Sequence, residues 1–382
     1  SINFYYLCFM QFSSILGQHP IKAHLVKSAD TGRIPHAQLF IGPEGCGTLP
    51  IAIAYAQYIL CSNTNGENTN GNESCNFKFH NLAHPDLHFK YPTVSTEEVK
   101  RKPKRIDFIT EWREFVTKNP YGNLLDWYSF LGVQNKQGEI RVDDAQEILK
   151  SLALKSYEGG HKVMIVWMAD KMNTAAANKL LKLLEEPPEK TIFLLITENE
   201  EAIISTIRSR CQAIHFNGVP EEIIMDALQN QHKLDQKSAQ NLAHQAQGNY
   251  NKALHLLHQD GDDLVFEEWF VVWVRAAFKA KGNAAAIQDL IQWSEQIAQL
   301  GREKQKKFLE YCIEFFRQAL LLNYQAQQLV YFEPKVEKFK LENFAPFIHG
   351  NNINAIFTTL SDALYHIERN GNAKIILNDV SI

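Results

Sequence analysis

Between residues 37 and 197 short apolar runs alternate with stretches of helical spacing. "AQLFIG" (37–42), "HKVMIVWM" (161–168) and "TIFLLIT" (191–197) are near-continuous in apolar character, which suits strands of a parallel sheet covered on both faces. Between the last two, "NTAAANKLLKLLEEPPEK" (173–190) reads as a helix stopped at Pro187 and Pro188. Strands alternating with helices predict an α/β layer fold over residues 10–216. Residues 62–139 interrupt the alternation. "SNTNGENTNGNES" is a polar, glycine-rich loop, and "EEVKRKPKRIDFITEWREFVTKNPYGNLLDWYSFL" is charged and aromatic; together they read as an insertion on the α/β core. After Phe216 the period is helical throughout. Residues 217–262 form one region, opened by Pro220 at a helix start, and 263–382 another. In the latter, "FLEYCIEFFRQALLLNY" holds more aromatic and aliphatic residues than one helix face hides. Neighbouring helices of its own domain, or a partner, cover the rest, core packing being the simpler reading. No repeat of 20–50 residues is visible.

The length of 382 residues fits two or three domains, and 45% hydrophobic with 21% charged residues is enough apolar material for a sizeable core. A formal charge of −4 excludes a globally basic nucleic-acid binder, so contact with nucleic acid would fall to local patches. The densest is "KRKPKR" (100–105), either a solvated surface or a phosphate contact. Cys8, Cys46, Cys61, Cys75, Cys211 and Cys312 are scattered, unlike a disulfide framework, and suit a reducing cytoplasm. "INFYYLCF" has neither a basic region before it nor a cleavage site after it. Met10 is the more natural start, which makes residues 1–9 an expected extension. No run approaches the length of a membrane span.

The candidate chemistry begins at "GPEGCGTLP" (42–50). Gly42 and Gly47 have the spacing of the phosphate loop G-x-x-x-x-G-K-[ST], and Gly45 adds freedom to the turn. Thr48 stands where the lysine belongs and Leu49 where the magnesium-binding hydroxyl belongs. Without them the loop loses the charge that reaches the β- and γ-phosphates, although its backbone N–H groups still permit an anion cradle. Structural punctuation after a strand is the competing reading. The strand at 161–168 offers an independent test. In nucleotide-hydrolysing domains of this kind that strand ends in two acids; here its tip is Trp167 and Met168, with Asp170 two residues further on.

"ILGQ" (15–18), "RIPHAQLFIGPEGCG" (33–47), "HPDLHF" (84–89), "NKLLKLLEEPPEKTIFLLIT" (178–197), "IRSRCQAIHF" (207–216) and the ending "HIERNGNAKIILNDVSI" resemble the clamp-loader branch of the AAA+ proteins. Within it they resemble the delta-prime family of bacterial DNA polymerase III, in a Bacteroidetes-like form. The motifs cover most of residues 12–216. The resemblance implies a P-loop-type AAA+ sheet domain (10–216), a small helical lid (217–262) and an all-α collar for oligomerisation (263–382). It implies a stator, a subunit that keeps the ATPase fold without turning ATP over. Arg210 of Ser209-Arg210-Cys211 would then project into the ATP–magnesium site of the adjacent motor subunit as an arginine finger, with Arg208 its near competitor; a surface ion pair of Arg210 is the alternative. Planar, permanent charge suits a γ-phosphate in transit. Thr197 and Glu198 both lie where the family's first sensor residue belongs. The second sensor's arginine falls near Asn251, beside Lys252.

The family also carries a four-cysteine zinc module, for which Cys61 and Cys75 match the first and last ligands. Thr69 and Asn72 fill the middle positions and are poor zinc donors, while His80 and His84 lie near in sequence. Two ordinary reduced thiols are the alternative. The implied partners are motor subunits and a delta subunit in a hetero-pentamer, the sliding clamp, and primer-template DNA met mostly within that complex, in the cytoplasm. Two other readings compete with the stator: an ATP-hydrolysing motor of the same branch, and a DNA-binding adaptor outside replication.

Overall fold

The structure, a computed structural model, describes residues 11–61, 73–97, 99–100, 103–133, 138–141, 156, 160–257, 262–280, 282–327, 330 and 334–381. Residues 1–10, Thr69, Asn72, Arg101 and Lys102 lie outside them. The chain divides into two compact units, Ser1–Val133 with Gln137–Leu254, and Gln134–Lys136 with His255–Ile382. The helices expected as a small separate region group with the sheet as far as Leu254.

The first unit is built on five parallel strands: β1 (Ala37–Ile41), β2 (Leu87–Lys90), β3 (Lys162–Val166), β4 (Thr191–Thr197) and β5 (Gln212–His215), in the order β2-β3-β4-β1-β5. The three strands read from apolar runs form its centre, and every residue of β1, β3 and β4 is buried. Side chains alternate between faces with period two. Leu39, Ile41, Met164, Val166, Phe193 and Leu195 meet Leu180, Leu183 and Leu184 of the helix Thr174–Glu185 on one side. Phe40, Val163, Ile165, Leu194 and Ile196 join the core on the other, with the helix Thr48–Cys61. That helix is apolar all round because it is buried all round.

The stretch read as an insertion is more than an appendage. It supplies β2, which pairs with β3 from Leu87↔Val163 to Lys90↔Val166. It also supplies Trp112, Phe115 and Trp127, which close with Tyr91 and Trp167 into one aromatic cluster; Tyr91 stacks on Trp112 at 4.1 Å. Trp167 thus spends its side chain on packing.

After β5 this unit continues with the helices Glu221–His232, Gln236–Ala246 and the start of Tyr250–Leu257. Asp235 caps the second by accepting from Ser238 N (3.0 Å). Ala239, Ala243 and Ala246 are buried along one side of it, with Ile224, Ala227 and Leu228 buried on the first helix.

The second unit is helical: Asp262–Lys279, Ala284–Ala298, Arg302–Asn323, Leu341–Phe344, Ile353–Glu368 and Ala373–Ser381. Phe308, Leu309, Cys312, Phe315, Phe316 and Ala319 of its longest helix are buried against Phe270, Trp293 and Phe344, so that helix's apolar surplus largely fills its own core. Among the described residues no helix is long and apolar enough to cross a membrane.

Candidate functional site: a tied phosphate loop and a distant arginine

The glycine-rich turn leaves β1 and enters the helix at Thr48 as the sequence predicts, with Gly45 and Gly47 at φ of 70° and 96°. These conformations favour glycine. The space in front of both is filled by the chain itself. A Cβ on Gly45 would lie 1.9 Å from Asn249 Oδ1, and one on Gly47 would lie 3.1 Å from Tyr121 Cε1. The backbone is tied as well as crowded. Tyr250 N donates to Gly45 O (3.2 Å), Asn249 Nδ2 to Glu44 Oε1 (3.1 Å), and Gln18 Nε2 to Cys46 O (3.1 Å) and Asn217 O (2.5 Å). Lys22 donates its ammonium to Ile15 O, and burial lowers its pKa. Gly42 N donates to Thr197 O (3.2 Å), which seats the first glycine on β4. Cys46 is fully buried inside the turn, and loss of solvent pushes its thiol up to about 12.

Residues from the 62–139 stretch cross this loop. Tyr121 accepts from Leu16 N (2.8 Å), and its ring meets that of Tyr250 edge-on at 4.9 Å. Burial raises the pKa of both phenols, that of Tyr250 to about 12. Asn251, expected near the second sensor, is buried and donates Nδ2 to Asp126 Oδ2 (2.7 Å). Nothing in the sequence pattern announces these contacts, because Asn251 and Asp126 are 125 positions apart.

Of the two residues offered for the first sensor, Thr197 is fully buried and donates to Asp170 Oδ1 (3.0 Å), whose other oxygen pairs with Lys171 (2.9 Å). Glu198 is exposed, and its charge is one of the influences raising Cys46. Asp170 reaches Thr197 from the turn after β3, beyond Trp167 and Met168, both buried.

The Ser209-Arg210-Cys211 triplet follows the one-turn helix Ser205–Arg208 and precedes β5. Arg210 Nη2 pairs with Glu185 Oε1 (2.7 Å) and Nη1 donates to Thr206 O (2.9 Å). Ser209 Oγ also donates to Thr206 O (3.2 Å), Arg208 pairs with Glu201 (2.9 Å), and burial pushes the Cys211 thiol up to about 11. The parallel register fixes where this group stands. Gln212 pairs with Gln38, so Arg210 lies at the N-terminal end of the sheet, whereas Gly42 follows Ile41 at the C-terminal end. At roughly 3.3 Å per strand residue the two are on the order of 15–20 Å apart along the strand direction. The fold does not bring Arg210 to its own loop.

Cys61 and Cys75 depart from both sequence readings. Their sulfurs are bonded to each other, with Cα atoms 5.5 Å apart, joining the helix Thr48–Cys61 to the helix Glu73–His80. Bonded sulfurs carry no thiolate, so this pair does not fit a zinc module, and no group of three or more His, Cys, Asp or Glu among the described residues is placed to hold a metal ion. His84 is buried with its Nδ1 accepting from Asp86 N (3.1 Å). Crosslinking residues 14 positions apart constrains the unfolded chain by about 3 kcal/mol in the chain-entropy account. Chemical denaturation of Cys75→Ser against the oxidised parent is expected to show a loss of about 2–3 kcal/mol, and of nothing further when the variant is treated with a thiol reductant.

Of the basic run, Lys104 and Arg105 are half-buried; Lys104 N donates to Asp107 Oδ2 (2.8 Å) and Arg105 O accepts from Tyr91 (2.9 Å).

A five-stranded parallel sheet with a glycine-rich loop after β1, a Ser-Arg-Cys turn before β5 and a helical C-terminal region is an α/β protein of the AAA+ class. A family model described as "DNA polymerase III, delta subunit" matches residues 17–220, more than half of the chain. The chain belongs to this DNA polymerase III clamp-loader family, on its delta-prime side. It is similar to the delta' subunit of Bacillus subtilis, 29% identical over 204 residues that cover 53% of this chain and 49% of that protein. The delta' subunit of Escherichia coli is 28% identical over 237 residues, 62% of this chain and 58% of that one. The gamma/tau subunit of Mycobacterium tuberculosis is 31% identical over 210 residues, 55% of this chain and 29% of that one. The chain thus spans about half the length of the delta' relatives it matches.

Proposed function

We propose that this chain is a stator-like, non-hydrolysing subunit of a DNA polymerase III clamp loader. It holds the hetero-pentamer together and lends Arg210 to the ATP site of an adjacent motor subunit, so that the motor opens the sliding clamp and places it on primed DNA. One observation carries the reading: the register of β5 on β1 sets Arg210 at the opposite end of the sheet from the chain's own phosphate loop. A guanidinium there is out of reach of this chain's own loop, so any phosphate it serves is bound by a neighbour. The tied loop supports the other half of the reading. Asn249, Tyr250 and Tyr121 hold Gly45 and Gly47 by contacts within the chain, and Thr48 and Leu49 bring neither the charge nor the magnesium ligand that turnover needs. On the helical unit Val272, Ile287 and Ile291 remain 52%, 47% and 42% exposed, apolar surface of the kind that packing into a collar covers.

The competing motor reading draws on the likeness to gamma/tau subunits. Nucleotide binding by the isolated chain separates the two. Isothermal titration with ATP is expected to show weak association that magnesium does not tighten, and phosphate release no faster than in buffer. Tight magnesium-dependent binding with steady turnover would establish a motor instead.

A further inference from the structure

The carboxylate opposite Arg210 belongs to the helix-ending "LLEEPP" stretch. Glu185 is the last residue of the helix Thr174–Glu185, where the macrodipole disfavours a negative charge. Its backbone is held on both sides. Leu183 and Leu184 are buried against the sheet, and Pro187 and Pro188 follow within three residues and stiffen the exit. Arg210 is equally well founded. Its N–H donates to Ile207 O (3.0 Å), and Ile207 is fully buried. Two rigid backbones thus present complementary charges 2.7 Å apart, and Thr206 O fixes the guanidinium from a second direction at 2.9 Å. A guanidinium has five N–H donors in a planar fork, so these two anchors set the plane of the fork while donors remain for an anion. The near competitor Arg208 is tied elsewhere, on Glu201.

Resting on the reading of Arg210 as a finger acting in trans, we propose that Glu185 is its positioning residue: the carboxylate holds the guanidinium in the orientation it needs before the neighbour's triphosphate arrives. Glu185 touches no reacting atom in this scheme. It acts by sparing the arginine a search among rotamers. A long side chain left to itself samples many orientations, and misplacement by an ångström is enough to erode catalysis.

The test is a loader reconstituted from full-length subunits in which only the motor beside this chain is able to hydrolyse, assayed for DNA-stimulated ATP hydrolysis over a range of ATP concentrations. Glu185→Ala is expected to lower kcat about tenfold with KM for ATP little changed, as befits lost orientation rather than lost binding. Glu185→Gln, whose Oε1 still accepts from Nη2, is expected to keep most of the rate. The decisive readout is the cycle with Arg210→Ala. If Glu185 works through the guanidinium, Glu185→Ala costs nothing further once the guanidinium is gone. An equal loss in both backgrounds marks a merely structural effect and overturns the proposal, as does an unchanged or raised rate in Glu185→Ala, or a Glu185→Gln variant as slow as the alanine. Arg210→Ala alone at the parental rate would be a different failure, that of the finger itself, and would remove the ground on which Glu185 stands.

Discussion

Replacing Arg210 by alanine in the reconstituted loader is expected to reduce ATP hydrolysis by the adjoining motor by about 10³-fold or more, since fingers supplied in trans contribute roughly 10³–10⁵ in rate. Clamp loading should fall with it, while the pentamer still assembles. The two outcomes separate because the side chain's roles differ so much in size. Its ion pair with Glu185 is partly exposed, 37% and 42% for the two side chains, and pairs of that kind contribute only about 0.2–1 kcal/mol to stability. A thousandfold rate effect corresponds to about 4 kcal/mol of transition-state stabilisation. Arg210→Lys should recover little, because an ammonium presents a point charge where a planar fork is needed. The measurement is steady-state hydrolysis by a complex whose other motor sites are inactivated, beside gel filtration of that complex. Hydrolysis at that site within about twofold of the parent, with assembly intact, would contradict the proposed finger, because fingers in trans contribute far more than that.

How much of this could be read from the sequence follows the physics of each element. The strands at 37–41, 162–166 and 191–197 are buried on both faces, so their apolar runs are unbroken and visible. The edge strands are not. Gln212–His215 buries only Ile214, and Leu87–Lys90 is four residues long and ends in a lysine. Neither gives a run long enough to separate from a loop, and β2 was therefore hidden inside what reads as an insertion. The helix at 174–185 announces itself by spacing and by the prolines that follow it. The phosphate loop and the Ser-Arg-Cys turn are contiguous in sequence, which is why they can be recognised. Their surroundings are not contiguous. Glu185 lies 25 positions before Arg210, and Asn249 bonds Glu44 across 205. The Cys61–Cys75 bond escapes for another reason: the scatter of all six cysteines points away from disulfides, whereas the pair itself depends on two buried helix ends meeting.

Those long-range contacts carry the second large effect. Tyr250 is buried, with its ring edge-on to Tyr121 and its hydroxyl near Gln231 (3.3 Å), while its own N–H holds Gly45 O. In a subunit that works as proposed, without bound nucleotide, these contacts replace the ligand as the link between the phosphate loop and the helices of 221–254. Removing a buried aromatic ring costs about 3–5 kcal/mol, from lost transfer energy and the cavity left behind. Tyr250→Ala is therefore expected to loosen the link by roughly that amount. Because the loss is local, hydrogen exchange reads it better than a global melting curve. Amides of Glu221–His232 and Gln236–Ala246 should lose protection, while those of β1, β3 and β4 keep theirs. The double variant with Tyr121→Ala should fall short of the sum of the two single losses by about 0.5–1.5 kcal/mol, the worth of an edge-on aromatic pair. ATP at millimolar concentration should restore none of the protection, since the tied loop, on this view, has no nucleotide to regain. Recovery with ATP and magnesium would show that the loop binds nucleotide once Tyr250 is gone. Unchanged exchange in Tyr250→Ala would show that other contacts hold these helices to the sheet.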